Sequence, residues 1–209
     1  MSWDERRFEL IKELGRVLVK TGALQFGTFT LTSGKMSSYY IDLRIVPSLP
    51  EVFKRITDAF VEALKNMVGL EKIDAIGGIP TAGLTYATAV AYNLEKPLLY
   101  VRKEPREHGT QKRVEGLLRP GWRVLILDDL ITTGGSILRA AEAIRSEGGI
   151  VEDALVLIDR MERGRERLLA SNIQLKALTK ITELADLLYD MNIIGKDQRK
   201  AIYGMVKIR

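Results

Sequence analysis

The chain contains no cysteine, which excludes disulfides, thiolate catalysis and Cys-ligated zinc. It has a single histidine, His108, so multi-histidine metal centres are ruled out and a Ser-His-Asp triad is not expected. No apolar run of about 18 residues occurs anywhere, which leaves no candidate membrane-spanning helix. Residues 1–14 mix Asp4, Glu5, Arg6, Arg7, Glu9 and Lys12 with the apolar positions, unlike a signal peptide. These absences point to a cytoplasmic protein. No G-K-[ST] follows a glycine loop, so a Walker A site is excluded. Residues Gly77-Gly78-Ile79-Pro80-Thr81-Ala82-Gly83 do not match the dinucleotide fingerprint either. Neither a helix-turn-helix nor a basic aromatic patch is present, so no nucleic-acid partner is expected.

What remains is a chain of 209 residues, 46% hydrophobic, suited to one domain with a modest appendage. The net charge of +5, from 32 basic and 27 acidic residues, fits an enzyme handling phosphates and decides little by itself. Apolar spacing predicts a helix over residues 4–20, and the alternation in 26–42 predicts a pair of short strands around the Ser33-Gly34 turn. A second helix is expected over 51–68. Strand, turn and helix then repeat: strands at 73–78, 98–101, 123–127 and 151–158, with helices at 81–93 and 136–147. Continuous apolar strands between helices argue for a parallel sheet covered on both faces. Residues 104–116 read as a long charged loop, and 175–209 as two helices broken near Ile194-Gly195. The expected organisation is one domain, with a hood at 21–45, a core at 51–164 and a helical tail at 175–209.

The most informative stretch is Val124-Leu125-Ile126-Leu127-Asp128-Asp129-Leu130-Ile131-Thr132-Thr133-Gly134-Gly135-Ser136. An apolar strand ends in two carboxylates, and hydroxyls and glycines then lead into a helix. Ligands of open α/β sheets bind outside the carboxyl ends of the strands. Gly134 and Gly135 let backbone N–H groups converge at a positive helix end, and Thr132, Thr133 and Ser136 add hydroxyl donors. This makes a cup for a phosphate monoester, while Asp128 and Asp129 can accept hydrogen bonds from the vicinal hydroxyls of a ribose.

This junction resembles the phosphoribosyl pyrophosphate signature of type I phosphoribosyltransferases. Three further segments resemble one branch of them, the orotate phosphoribosyltransferases. Residues 26–42, with Tyr39 and Tyr40, are similar to that family's hood. Arg102-Lys103-Glu104-Pro105-Arg106-Glu107-His108-Gly109 is similar to its mobile catalytic loop. Ile158-Asp159-Arg160-Met161-Glu162-Arg163-Gly164 resembles the segment whose arginine faces the substrate carboxylate.

The resemblance implies an α/β fold, a five-stranded parallel core with a small N-terminal hood, and transfer of a phosphoribosyl group to orotate. It implies Arg102, Lys103, Arg106 and His108 at the pyrophosphate, with Lys103, Asp128 and Asp129 as catalytic groups. Residues 128–136, Leu130 and Ile131 included, hold the phosphoribosyl moiety, and Tyr39, Tyr40, Thr132 and Arg160 meet the orotate. Mg²⁺ is the implied cofactor, held by substrate and water with no protein ligand cluster, and the implied assembly is a homodimer in which loop 104–116 covers the neighbour's site. Gln25, Ala82 and Arg106 depart from the lysines common among bacterial members. A transferase for another base, and a non-catalytic sensor of phosphoribosyl pyrophosphate that binds nucleic acid, are the alternatives.

Overall fold

The computed structural model describes residues 1–30, 34, 36–102 and 112–207. Helix α1 (Trp3–Lys20) starts at Ser2, whose hydroxyl accepts from the Glu5 N–H while the Glu5 carboxylate accepts from the Ser2 N–H, a capping box. Strands β1 (Leu24–Thr30) and β2 (Met36–Ile41) form the expected antiparallel hairpin, with an irregularity between Phe26 and Phe29. A 3₁₀ turn over Leu43–Ser48 leads to α2 (Pro50–Met67), which Pro50 opens at a position where no backbone N–H is needed.

The central sheet follows: β3 (Ala75–Gly78), α3 (Ala82–Asn93), β4 (Leu98–Val101), β5 (Val114–Glu115), β6 (Val124–Ile131), α4 (Gly135–Ser146), β7 (Asp153–Asp159), α5 (Gly164–Leu169) and β8 (Gln174–Lys180). The strand order is β5-β4-β3-β6-β7-β8. The pairs joining β4, β3, β6, β7 and β8 are all parallel, and β5 alone runs antiparallel, at the edge.

Strand alternation splits the interior into two cores. Leu125, Leu127, Leu155 and Leu157 face one side, with residues of α1, α2, α3 and α6 (Ile181–Asp190). Val124, Ile126, Ala154 and Val156 face the other, under α4 and Leu168 of α5. Burial on both faces is why these strands read as unbroken apolar runs. The carboxyl ends of β3, β6 and β7 open toward the same end of the sheet as the hood.

Three expectations change. Residues Gln174–Lys180, expected to begin a helical tail, form β8, parallel to β7. Leu175 and Ala177 enter one core and Leu178 the other, so this edge strand is buried on both faces and lacks the polar alternation by which a strand shows in sequence. Val114 and Glu115 lie in the predicted loop but pair with Val101 and Tyr100. Strand β6 also continues past Leu127 to Ile131, so Asp128 and Asp129 sit within a paired strand end. The two tail helices are α6 and α7 (Lys196–Lys207), separated at 191–195 as expected. Helix α6 packs on α1, and α7 returns to the hood, where the Ser38 hydroxyl donates to the Ala201 carbonyl at 3.2 Å. Asp186 of α6 holds α7 by accepting from Arg199 Nε and the Tyr203 hydroxyl, both at 2.7 Å.

Candidate active site

Two adjoining hollows lie where β6 ends. The smaller, about 140 Å³, is bounded by Asp128, by residues 130–137 and by Arg139. It contains every residue of the predicted cup: Leu130, Ile131, Thr132, Thr133, Gly134, Gly135 and Ser136. Gly134 caps α4 in the left-handed region, at φ 77°, where a side chain is strained. A Cβ there would also come within 3.2 Å of the Gly164 carbonyl. Gly164 in turn abuts the Thr132 carbonyl so closely that a Cβ would overlap it. The cup is thus tightened from behind by the start of α5.

The larger hollow is a cleft of about 580 Å³ between hood and sheet. Its walls include Phe29, Tyr40, Arg44, Asp129, Thr132 and Arg160. Tyr40 and Phe29 stack, with centroids 5.5 Å apart and planes 29° from parallel. Tyr39 does not share this wall. Neighbouring residues of a strand point to opposite faces, and Tyr39 is 1% exposed, with the Arg160 guanidinium 4.9 Å above its ring. The aromatic platform is therefore Phe29 with Tyr40, and Tyr39 is the floor under Arg160.

Asp128 is nearly inaccessible, and its Oδ1 accepts from the Asp129 N–H at 3.0 Å. Burial, then the charge of Asp129, pushes the Asp128 carboxyl well above the usual carboxylate range. Burial also raises Asp129, against the lowering effect of its hydrogen bond with Asp128. Gly83, at the start of α3, lies so close to Asp128 that a Cβ would overlap its carboxylate. That close approach was not read from the sequence, although a glycine in the first turn of a helix was its visible trace.

Arg160 is 4% exposed, on a loop in which Met161 and Arg163 both adopt left-handed conformations, φ 58° and 64°. The Asp159 carboxylate steadies this loop by accepting from the Met161 N–H at 2.8 Å. Arg160 Nε lies 3.2 Å from the Glu162 carboxylate but is not aligned for a hydrogen bond. Arg160 Nη2 is fully buried and has no hydrogen-bond partner among the described residues. A buried guanidinium donor without an acceptor is costly unless a ligand supplies one.

Arg44 was not singled out in the sequence. It closes the hood side of the cleft, with Nε 2.7 Å from Asp42 Oδ1 and Nη2 donating to the Tyr40 hydroxyl at 2.8 Å. The hydrogen bond from Arg44 holds the Asp42 carboxyl below its usual range, against the opposing effect of burial. The Asp-x-Arg spacing after an aromatic strand was the available signal. Below it, the Tyr86 hydroxyl donates to the Leu43 carbonyl at 2.8 Å, which ties the turn after β2 to α3. Ala82 lines the cleft, and the Gln25 amide donates to the Gly22 carbonyl. Arg102 borders a third hollow, of about 170 Å³, with Pro80, Arg113, Ser136 and Arg139, adjoining the cup. Lys103, Arg106 and His108, with residues 104–111 of the expected mobile loop, lie outside the described residues.

A strand-end carboxylate pair beside a glycine cup, under a hood, is the geometry on which known proteins can be compared. The phosphoribosyl transferase domain family matches residues 46–177. An orotate phosphoribosyltransferase of Cenarchaeum symbiosum is 43% identical over 190 residues, 91% of this chain and 95% of that protein. The chain belongs to the orotate phosphoribosyltransferase family. The crystal structure of the family's Aeropyrum pernix member superposes with a TM-score of 0.76 and 37% identity, over 87% of this chain and 99% of that one. Leishmania donovani UMP synthase gives a TM-score of 0.84 at 31% identity over 95% of this chain. The present chain spans 42% of that longer protein. Family membership accounts for the parallel sheet with its separate hood. No helix among the described residues is long and apolar enough to cross a membrane.

Proposed function

We propose that this phosphoribosyltransferase joins orotate to the ribose of phosphoribosyl pyrophosphate, giving orotidine 5′-phosphate and pyrophosphate, in the cytoplasm. The observation that carries the choice of base is Arg160. Arg160 lines a cleft walled by Tyr40 and Phe29, its buried Nη2 has no partner among the described residues, and a planar guanidinium suits a carboxylate on a flat ring. Uracil and the purines offer no such carboxylate.

In this reading the cup of Thr132, Thr133, Gly134, Gly135 and Ser136 holds the 5′-phosphate. Asp128 and Asp129 accept hydrogen bonds from the ribose diol, and Arg160 holds the orotate carboxylate. The ring nitrogen then faces the anomeric carbon and forms the new C–N bond as it gives up its proton to solvent, and the C–O bond to pyrophosphate breaks with its electron pair leaving on the pyrophosphate. Positioning and neutralisation of the leaving charge supply most of the acceleration. Arg102, and Lys103, Arg106 and His108 beyond the described residues, are the groups for that charge. The two carboxyls, whose pKa values burial raises, form a small oxygen donor set. That set fits Mg²⁺, an ion that retains waters and substrate oxygens in its shell, with Asp129 nearest the cleft. Bound there, Mg²⁺ would supply positive charge to the pyrophosphate oxygens. We place the enzyme as a homodimer in which loop 104–116 of one subunit covers its partner's site.

The test is consumption of orotate with phosphoribosyl pyrophosphate and Mg²⁺, run beside uracil, adenine and hypoxanthine. Turnover of orotate alone is expected. Turnover of another base in its place would overturn the assignment.

A further inference from the structure

Two exposed guanidinium groups converge on the outer wall of the cup. Arg139 Nη1 lies 3.3 Å, and Arg167 Nη1 3.7 Å, from the point a Cβ on Gly135 would occupy. The Thr133 hydroxyl is 3.9 Å from the same point. Arg139 Nη2 also donates to the Ser136 hydroxyl at 3.3 Å. Neither arginine makes an ion pair among the described residues.

The convergence has a cause in the chain. Arg139 is four residues beyond Gly135 on α4, so it stands above the helix's first turn on the same face. Arg167 is three residues beyond Gly164 on α5, and Gly164 is the residue whose missing Cβ lets α5 meet the Thr132 carbonyl. The two helices thus aim one arginine each at a single spot. Like charges held together repel unless an anion lies between them.

We propose that Arg139 and Arg167 form a clamp over the 5′-phosphate, binding it in the phosphoribosyl substrate and in the nucleotide product alike. The proposal rests on the reading of the cup as a phosphate site given above. Backbone N–H groups and hydroxyls hold the phosphate from inside the cup, and the two forks neutralise its second charge from outside. Because this phosphate is remote from the bond that breaks, the clamp contributes equally to ground and transition states.

Calorimetry with ribose 5-phosphate and no base, on the full chain, separates the clamp from the choice of base. Arg139→Ala and Arg167→Ala should each weaken ribose 5-phosphate binding roughly tenfold, as the loss of a charge-assisted contact implies. The pair together should weaken it more than either alone. Arg119→Ala, which removes an exposed arginine from the Trp122 ring, should leave the affinity as it was. In steady state the KM for phosphoribosyl pyrophosphate should rise far more than kcat falls, with the KM for orotate nearly constant. Three results would overturn the clamp: wild-type protein that binds no ribose 5-phosphate, clamp variants that bind it as tightly as wild type, or an equal loss in Arg119→Ala. A protein that ignores orotate but binds ribose 5-phosphate through both arginines would instead sink only the choice of base.

Discussion

The Cζ atom of Arg160 lies 4.9 Å from the centroid of the Tyr39 ring, so the arginine rests on a buried aromatic face while its Nη2 has no partner among the described residues. The tyrosine ring packs under the guanidinium and supports it. Arg160→Ala should therefore cost on the order of 2–5 kcal/mol in orotate binding, the loss typical of a desolvated charge partner. Tyr39→Leu should cost about 0.5–2 kcal/mol in the same direction, through lost cation–π support. The KM values of the two substrates check both. Equal rises for orotate and phosphoribosyl pyrophosphate would make Arg160 a structural residue.

Asp128 offers a pH test with opposite effects on stability and binding. Its folded-state carboxyl is raised, so folding takes up a proton. The stabilising contribution is complete below the ordinary aspartate value of about 4, and is lost as pH rises through the folded value. Asp128→Asn keeps the oxygen that accepts from the Asp129 N–H and removes the buried charge. The ligand-free variant should then be more stable than wild type at pH 8, with the difference shrinking toward pH 4, in denaturant titrations at both. Paired with Asp129→Asn, it should also weaken binding of phosphoribosyl pyrophosphate measured with Mg²⁺. A variant less stable at pH 8, or one binding at full strength, would contradict this account.

Gly83→Ala should damage the ribose side without touching a ligand. The new Cβ would overlap the Asp128 carboxylate and lie 3.0 Å from its Cα, so either α3 or the end of β6 must shift. Overpacking of this kind costs about 1–3 kcal/mol. A lower melting temperature with a raised KM for phosphoribosyl pyrophosphate is expected. Gly22→Ala, with no atom within 4 Å of its Cβ position, tests backbone strain alone.

The shared-loop dimer predicts complementation. Lys103→Ala and Arg160→Ala carried on different subunits would place both lesions in one site and leave the other intact. Random mixing of the two inactive proteins should restore roughly a quarter of wild-type sites. Subunits must exchange by co-expression or refolding, with hybrids confirmed by mass spectrometry. No recovery in confirmed hybrids would mean that each loop serves its own subunit.

The cup was legible because its chemistry is local. Strand, carboxylates, hydroxyls, glycines and helix follow one another within 124–136, and the structure closes them into one hollow. Arg160 was legible for the same reason, at the end of β7. The sequence was silent where function depends on distant packing. Gly83 meets Asp128 across two elements, and Arg139 and Arg167 converge from separate helices. Tyr39 and Tyr40 showed two aromatics but not which faced out, because register decides that. Strand β8 is hard to tell from a helix in the sequence, since Leu175, Leu178 and Ile181 also fit a helical spacing, and only its pairing with β7 chooses between them.

The return of α7 to β2 joins distant parts of the chain. Ile202 is fully buried, and Ala201 accepts the hydrogen bond from Ser38, more than a hundred and fifty positions earlier in the chain. Helix α1 likewise meets α6. The cup is thus a local construction of neighbouring residues, whereas the hood wall of the cleft is braced by contacts between segments far apart in the chain.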